Sequence, residues 1–369
     1  MTRLRYPMTA LRHFAESDVA AVVALFEKVY SEYRWDSRAA CESYFRDVFF
    51  NHPWRHLDLP SWVAEDEQGV CGFAGILPRR MAFRGRLIRV AIGCQFMIEP
   101  EQRHSLTALQ LLRAVVSGPQ DLFISDGAND HARQLWRAIG GATPLLCNLH
   151  WTTPLRPIQH ALSLLERRTE SAYLARAGRP LARIADALAM RLRPNRFHRN
   201  SNAVHENDLD SVQMLALSPE ALAGNELHPV YDSGALQWLL RQAALKKRHG
   251  SLRARAVLGD DRRLLGWFLY YARADAVNEV VQIAAREDAF DLVLQRLLSD
   301  AWRQGATALR GRLDPHQVQT LSDRHCWLRR EGAWTLVHSR DAGIAAAIER
   351  GDAFLSRLDG EWCLRFVGC

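Results

Sequence analysis

The sequence predicts an α+β chain of two successive domains, each a mixed, mainly antiparallel sheet flanked by helices. Three observations predict it. At 369 residues the chain exceeds one small module, and its 48% hydrophobic content is that of a folded globular protein. Through the first 150 residues, runs that read as strands alternate with runs of helical spacing. After residue 201 a matching order of elements recurs, which suggests an internal duplication.

Residues 11–14 read as a short strand. Ser17 and Asp18 are good helix caps, and Val19, Val22, Val23, Phe26 and Val29 follow them at helical spacing. A second helix, rich in aromatics, is expected over 38–50. Residues 61–65 and 70–78 read as strands joined by an acidic turn at Gly69, and 81–84 with 87–98 as a second hairpin around Gly85. A strand-to-helix junction follows at 97–108, and Leu109, Leu111, Leu112, Val115 and Val116 give the helix its apolar face. A strand over 121–125, a helix over 129–139 stopped by Gly140 and Gly141, and a strand over 144–152 end this half.

In the second half a helix is expected over 233–245, strands over 252–258, 264–272 and 277–285, a helix over 290–302 and a strand over 306–312. A polar helix over 316–329, a strand over 334–338 and a strand-like tail over 354–366 complete it. The expected division is a first domain at 1–154, a linking helical hairpin at 155–200 and a second domain at 201–369.

All but three of the 48 cationic residues are arginine. Ten arginines lie between 155 and 200 against Glu166, Glu170 and Asp186, a local excess equal to the net +7 of the whole chain. Such a block can attract phosphates, anionic lipid or RNA. No interleaving of cations with aromatics accompanies it, so we read it as a solvated helical face. No segment approaches the ~18–20 continuous apolar residues of a membrane-spanning helix, and the first residues lack a signal peptide's apolar stretch. The seven cysteines are scattered without a C-x-x-C pair, and the histidines show no H-E-x-x-H spacing. Neither a disulfide framework nor a metal is expected, and the expected location is the cytoplasm.

The chemistry concentrates at Ile98-Glu-Pro-Glu-Gln-Arg103-His-Ser-Leu106-Thr-Ala108. A strand feeding straight into a helix leaves the helix's first N–H groups without partners, and these with the dipole attract a diphosphate. Arg103 and His104 add charge, Ser105 and Thr107 add hydroxyls, and Ala108 is small where phosphate would approach. A second motif is Asn129-Asp-His-Ala132-Arg-Gln-Leu-Trp136-Arg-Ala-Ile-Gly140-Gly141. In this order the two motifs resemble those of the GNAT (Gcn5-related N-acetyltransferase) superfamily, in a tandem double-domain form. Residues 10–152 carry the resemblance well and 201–369 weakly. Leu106 stands where the family has its central glycine.

The resemblance implies an acyl-CoA-dependent N-acyltransferase in the first domain, acetyl-CoA or another acyl-CoA as cosubstrate, and a small-molecule or peptide amine as acceptor. It implies backbone contacts from Phe96, Met97 and Ile98 to the acyl and pantetheine groups, a diphosphate over Arg103, His104, Ser105, Leu106, Thr107 and Ala108, and Asn129 on the pantetheine arm. Glu99 and Asp126 are the candidate bases. Trp136 takes the position of the family's tyrosine acid, and an indole N–H has no suitable proton to give. In the second half Glu287 and Asp288 fall where phosphate would bind, so that half is expected to be degenerate and free of cofactor. Two alternatives stay open: a non-catalytic GNAT-like scaffold, and a Fem-type aminoacyl-tRNA-dependent transferase whose tRNA would meet the basic hairpin. A homodimer is also left open.

Overall fold

The structure is a computed structural model that describes residues 9–102, 106–166, 179–188, 205–330 and 332–369. The chain divides into two compact units, each built on one seven-stranded mixed sheet with helices against it. The first unit holds Met1–Asn148, Asn225–Lys246 and Gly332–Cys369; the second holds Leu149–Gly224 and Lys247–Glu331.

The first unit opens with β1 (Ala10–His13), α1 (Val19–Val29) and α2 (Arg38–Phe49). Val19, Val22, Val23 and Phe26 are fully buried, as their spacing requires of one helix face. Ser37 caps α2, its hydroxyl accepting the Ala40 N–H at 3.1 Å. Next come β2 (Trp62–Asp66), β3 (Gly69–Phe83) and β4 (Arg86–Ile98). The two hairpins expected here share one long strand, because β3 runs through Pro78 without a break. Proline is tolerated there because β2 pairs with β3 only as far as Ala74, and the next strand on that edge joins only at Met81. After β4 come α3 (Thr107–Val116), β5 (Leu122–Ala128) and α4 (Asp130–Ala138). Leu111, Leu112 and Val115 of α3 pack into a core with Ala64, Ile98 and Trp136.

The chain then enters the second unit with β6 (Leu149–Pro154), α5 (Pro157–Glu166), β7 (His205–Asp208) and α6 (Ser211–Ala221). It returns to the first for β8 (Leu227–Pro229) and α7 (Ser233–Leu245). The second unit is completed by β9 (Ser251–Leu258), β10 (Leu264–Ala272), β11 (Val277–Ala285), α8 (Phe290–Arg303), β12 (Ala308–Arg312), α9 (Val318–Asp323) and β13 (Trp327–Arg330). Finally β14 (Trp334–Ser339) and α10 (Ala342–Arg350) rejoin the first.

The sheet orders are β1-β2-β3-β4-β5-β14, with β8 against β3, and β7-β9-β10-β11-β12-β6-β13. The duplicated pattern is visible in them. Each sheet is antiparallel except for one parallel pair at the same place, β4 with β5 and β11 with β12. Beyond that pair each half of the sequence contributes a strand to the unit built mainly from the other half: β6 pairs with β12, and β14 pairs with β5. The compact units are therefore discontinuous in sequence where contiguous halves at 1–154 and 201–369 were expected. Hydrophobic alternation marks a strand but does not name its partner.

Two further expectations change. The helix at 316–329 divides into α9 and β13, separated by His325 in the left-handed region at φ 57°. The strand-like tail forms turns instead, held by local bonds such as Leu364 N–H to the Glu361 carbonyl at 2.9 Å. Most of the basic hairpin at 155–200 lies outside the described residues; of its arginines, Arg179 pairs with Glu166 and Arg183 with Asp275. Among the described residues no helix is long and apolar enough to cross a membrane.

In the second unit Asp300, 2% exposed, receives both Nε and Nη2 of Arg253 at 2.8 and 3.0 Å and the Tyr270 hydroxyl at 2.7 Å. Burial alone would raise its pKa, but these donors outweigh it and hold the carboxyl below its ordinary value. Asp300→Ala leaves both donors without their acceptor and is expected to cost about 3 kcal/mol in urea denaturation at pH 7. A loss within experimental error of zero would show the network to be dispensable.

Candidate active site

β4 and β5 pair at only three positions, Val90–Leu122, Ala91–Phe123 and Ile92–Ile124, after which neither strand pairs with the other. A bulge in β4 lies at the parting: Gly75 faces Cys94 and Phe73 faces Met97, so Gln95 and Phe96 together oppose Ala74. Gln95 takes φ 60°, a conformation L side chains rarely adopt and a mark of strain held by its surroundings. Between the diverging strands lies a cavity of about 520 Å³ with a mainly apolar wall that includes Ile76, Leu112 and Phe123.

The structure brings some of the expected site residues together here. Phe96 and Ile98 of β4, Ala108 of α3 and Asn129 at the start of α4 all line the cavity. Asn129 caps α4, its Oδ1 accepting the Ala132 N–H at 2.8 Å. Met97, on the opposite face of β4, is buried and is not in the lining. Thr107 is buried with its hydroxyl 3.1 Å from that of Thr9, whereas Leu106 is 69% exposed. Arg103, His104 and Ser105 lie outside the described residues.

Neither expected base lines the cavity. Glu99 is ion-paired with Lys28 at 2.5 Å. Asp126 is buried within β5 and accepts the Trp362 N–H at 3.2 Å. Trp136 is fully buried in the cavity wall and donates its indole N–H to the Val337 carbonyl at 3.2 Å.

Two carboxylates line the cavity, Glu32 and Glu361, and of these Glu361, in the C-terminal segment, is the buried one. It is 4% exposed. The Ser125 hydroxyl donates to its Oε1 at 3.3 Å, and Arg365 Nη1 lies 3.8 Å from the same oxygen. Burial pushes its pKa up to about 7; Asp126 adds to the rise, while Arg365, the Gln95 backbone N–H and Ser125 oppose it. A carboxyl that titrates near neutrality inside an apolar pocket can take a proton from an incoming group and release it again. Arg365 also lines the cavity. Sequence reasoning missed both residues. The one signal available was their i,i+4 spacing as an acid–base pair within an apolar tail. Cys94, also in the wall, has its thiol pKa raised by burial, which fits a packed side chain rather than a nucleophile.

The second unit repeats the strand geometry. β11 and β12 also pair at three positions, and β11 carries an extra residue opposite Leu269 and Tyr270 of β10. There the Trp151 indole lies against Gly311, where a Cβ would come within 2.7 Å of it. Trp151 shares one core cluster with Phe268 and Phe290.

No protein-family profile and no curated protein matches the sequence. Solved structures do. Over 91% of its length the chain superposes on 72% of a GCN5-related N-acetyltransferase from Kribbella flavida (TM-score 0.56, 15% identity) and on 74% of another from Anabaena variabilis (TM-score 0.57, 13% identity). Over 90% it superposes on 73% of a conserved protein of unknown function from Enterococcus faecalis (TM-score 0.59, 9% identity). With these matches and the duplicated, splayed sheets, the chain has the fold of the GCN5-related N-acetyltransferases.

Proposed function

We propose that the protein is an acyl-CoA-dependent N-acyltransferase, moving an acyl group from a CoA thioester to an amine. One observation carries the reading: an apolar cavity between diverging strands that holds a carboxylate with a pKa near neutrality. The residues present suit the cosubstrate. A gap walled by main chain and small side chains (Gly93, Ala108, Ala128) can admit a narrow pantetheine arm, and the apolar wall suits an acyl group. Phe96, Ile98 and Asn129 would hold that arm, and the start of α3 would face the diphosphate.

The bound thioester supplies an activated acyl carbon and a thiolate leaving group. The chain's own part is proton handling and exclusion of water. Glu361 accepts a proton from the attacking amine nitrogen, and Ser125 and the Gln95 amide steady the carboxylate as it titrates. Overall an N–C bond forms, the C–S bond breaks, and the amine proton ends on the thiol. Trp136 takes no part in this, since its indole N–H is committed to Val337.

Acetyl-CoA at about 100 times its Kd is expected to stabilise the protein by about 2.7 kcal/mol, seen as a thermal shift of a few degrees. Ala132, in the cavity wall, gives the control: Ala132→Trp fills the gap and removes the shift. No shift in the wild type, together with no CoA release in the presence of amines, would defeat the proposal and favour a non-catalytic scaffold.

A further inference from the structure

Arg365 has more hydrogen-bonding capacity than the first unit uses. A guanidinium presents five N–H donors along planar edges. Here Nη1 donates to the Gly127 carbonyl at 2.8 Å and lies 3.8 Å from Glu361 Oε1. Among the described residues Nε and Nη2 have no hydrogen-bond partner. The side chain keeps 24% of its surface accessible, whereas Glu361 beside it keeps 5%. An arginine recruited only to neutralise Glu361 would meet it with two parallel bonds. This one approaches it through a single nitrogen and leaves its remaining edge without a hydrogen-bond partner, and the residue lines a mainly apolar cavity.

An uncommitted guanidinium edge in such a setting matches a carboxylate. The residue next to it is the proposed acceptor of an amine proton. In an α-amino acid the amine nitrogen and the carboxylate carbon sit on one carbon, about 2.5 Å apart. Arg365 Nη1 lies 3.8 Å from Glu361 Oε1, so the guanidinium and the carboxylate are close neighbours that one small molecule could meet together. We propose that the acceptor is an α-amino acid, held with its amine beside Glu361 and its carboxylate on the Nε–Nη2 edge of Arg365. This inference rests on the transferase reading above. It makes Arg365 a binding residue that selects the acceptor.

The test compares an amino acid with its decarboxylated counterpart, leucine with 3-methylbutylamine, in CoA release from acetyl-CoA. The wild type is expected to prefer leucine in kcat/KM by at least about 100-fold, because the amine leaves the donor edge of Arg365 unmatched. In R365Q that preference collapses, chiefly through a higher KM for leucine, and R365K keeps part of it. A wild type that uses the amine as well as leucine overturns the proposal without any variant. So does a preference that survives R365Q. Calorimetric titration of both compounds into wild type holding CoA separates the two readings. Binding of leucine over the amine with no CoA release keeps the amino-acid site and removes the transferase, whereas release with the amine alone does the reverse.

Discussion

Glu361→Gln is expected to lower kcat by roughly 10²–10⁴-fold, the usual range for a general base. It also removes the acid limb of the pH profile. Wild-type kcat/KM should climb to a plateau above about pH 7, where Glu361 is ionised. A measured limb near the ordinary carboxylate value, or an unchanged limb in the variant, would exclude Glu361 as the base. The same group shapes stability. Between 4.5 and about 7 the native protein holds a proton that the unfolded chain has released, so this contribution is fully present below 4.5 and declines as pH rises through that window. Glu361→Gln stays neutral and escapes a penalty on the order of 3 kcal/mol above pH 7. Urea midpoints of the two proteins should differ little at pH 5 and much more at pH 8.

The fragment 1–154 is expected to show no cooperative unfolding transition. It contains the strands that begin the first sheet but lacks β14, which pairs with β5 from Trp334 to Ser339. It also lacks β8, α7 and the C-terminal turns, which bury Leu358, Cys363, Leu364 and Phe366. Side chains of this kind contribute roughly 1.5–3 kcal/mol each on burial. Their sum is comparable with the whole stability of a typical protein, roughly 5–15 kcal/mol. A sharp melt of this fragment by circular dichroism would show that the first unit does not need its distant segments.

Much of the fold was legible because it is written locally. The valines and phenylalanine of α1, the Leu111–Val115 stripe of α3 and the Gly69 and Gly85 turns each act within a few residues. What was not legible is non-local. Nothing in the alternation of 149–154 or 334–339 distinguishes a strand that stays in its own half from one that crosses. The strands read separately over 70–78 and 81–84 are one, because the tolerance of Pro78 within a strand depends on where two other strands end. Phe96, Ile98 and Asn129, which the family resemblance implies, and Ala108 line one cavity, since strand, turn and helix place them together. Glu99 and Asp126 were the carboxylates nearest in sequence, but Lys28 and the Trp362 amide engage them. Glu361 is brought in by turns whose course depends on tertiary packing, so the role proposed for it had no sequence signature beyond its spacing from Arg365.

The exchange of β6 and β14 sets an order of events during synthesis. Trp136 and Val337, joined by a hydrogen bond, are 201 residues apart. At cellular elongation rates roughly 10–40 s separate their emergence from the ribosome. For that interval β5 waits with one edge uncovered, a template for wrong pairing that a chaperone would have reason to shield. Glu361 emerges later still, so no nascent chain can acquire the proposed chemistry before its C-terminal turns have folded.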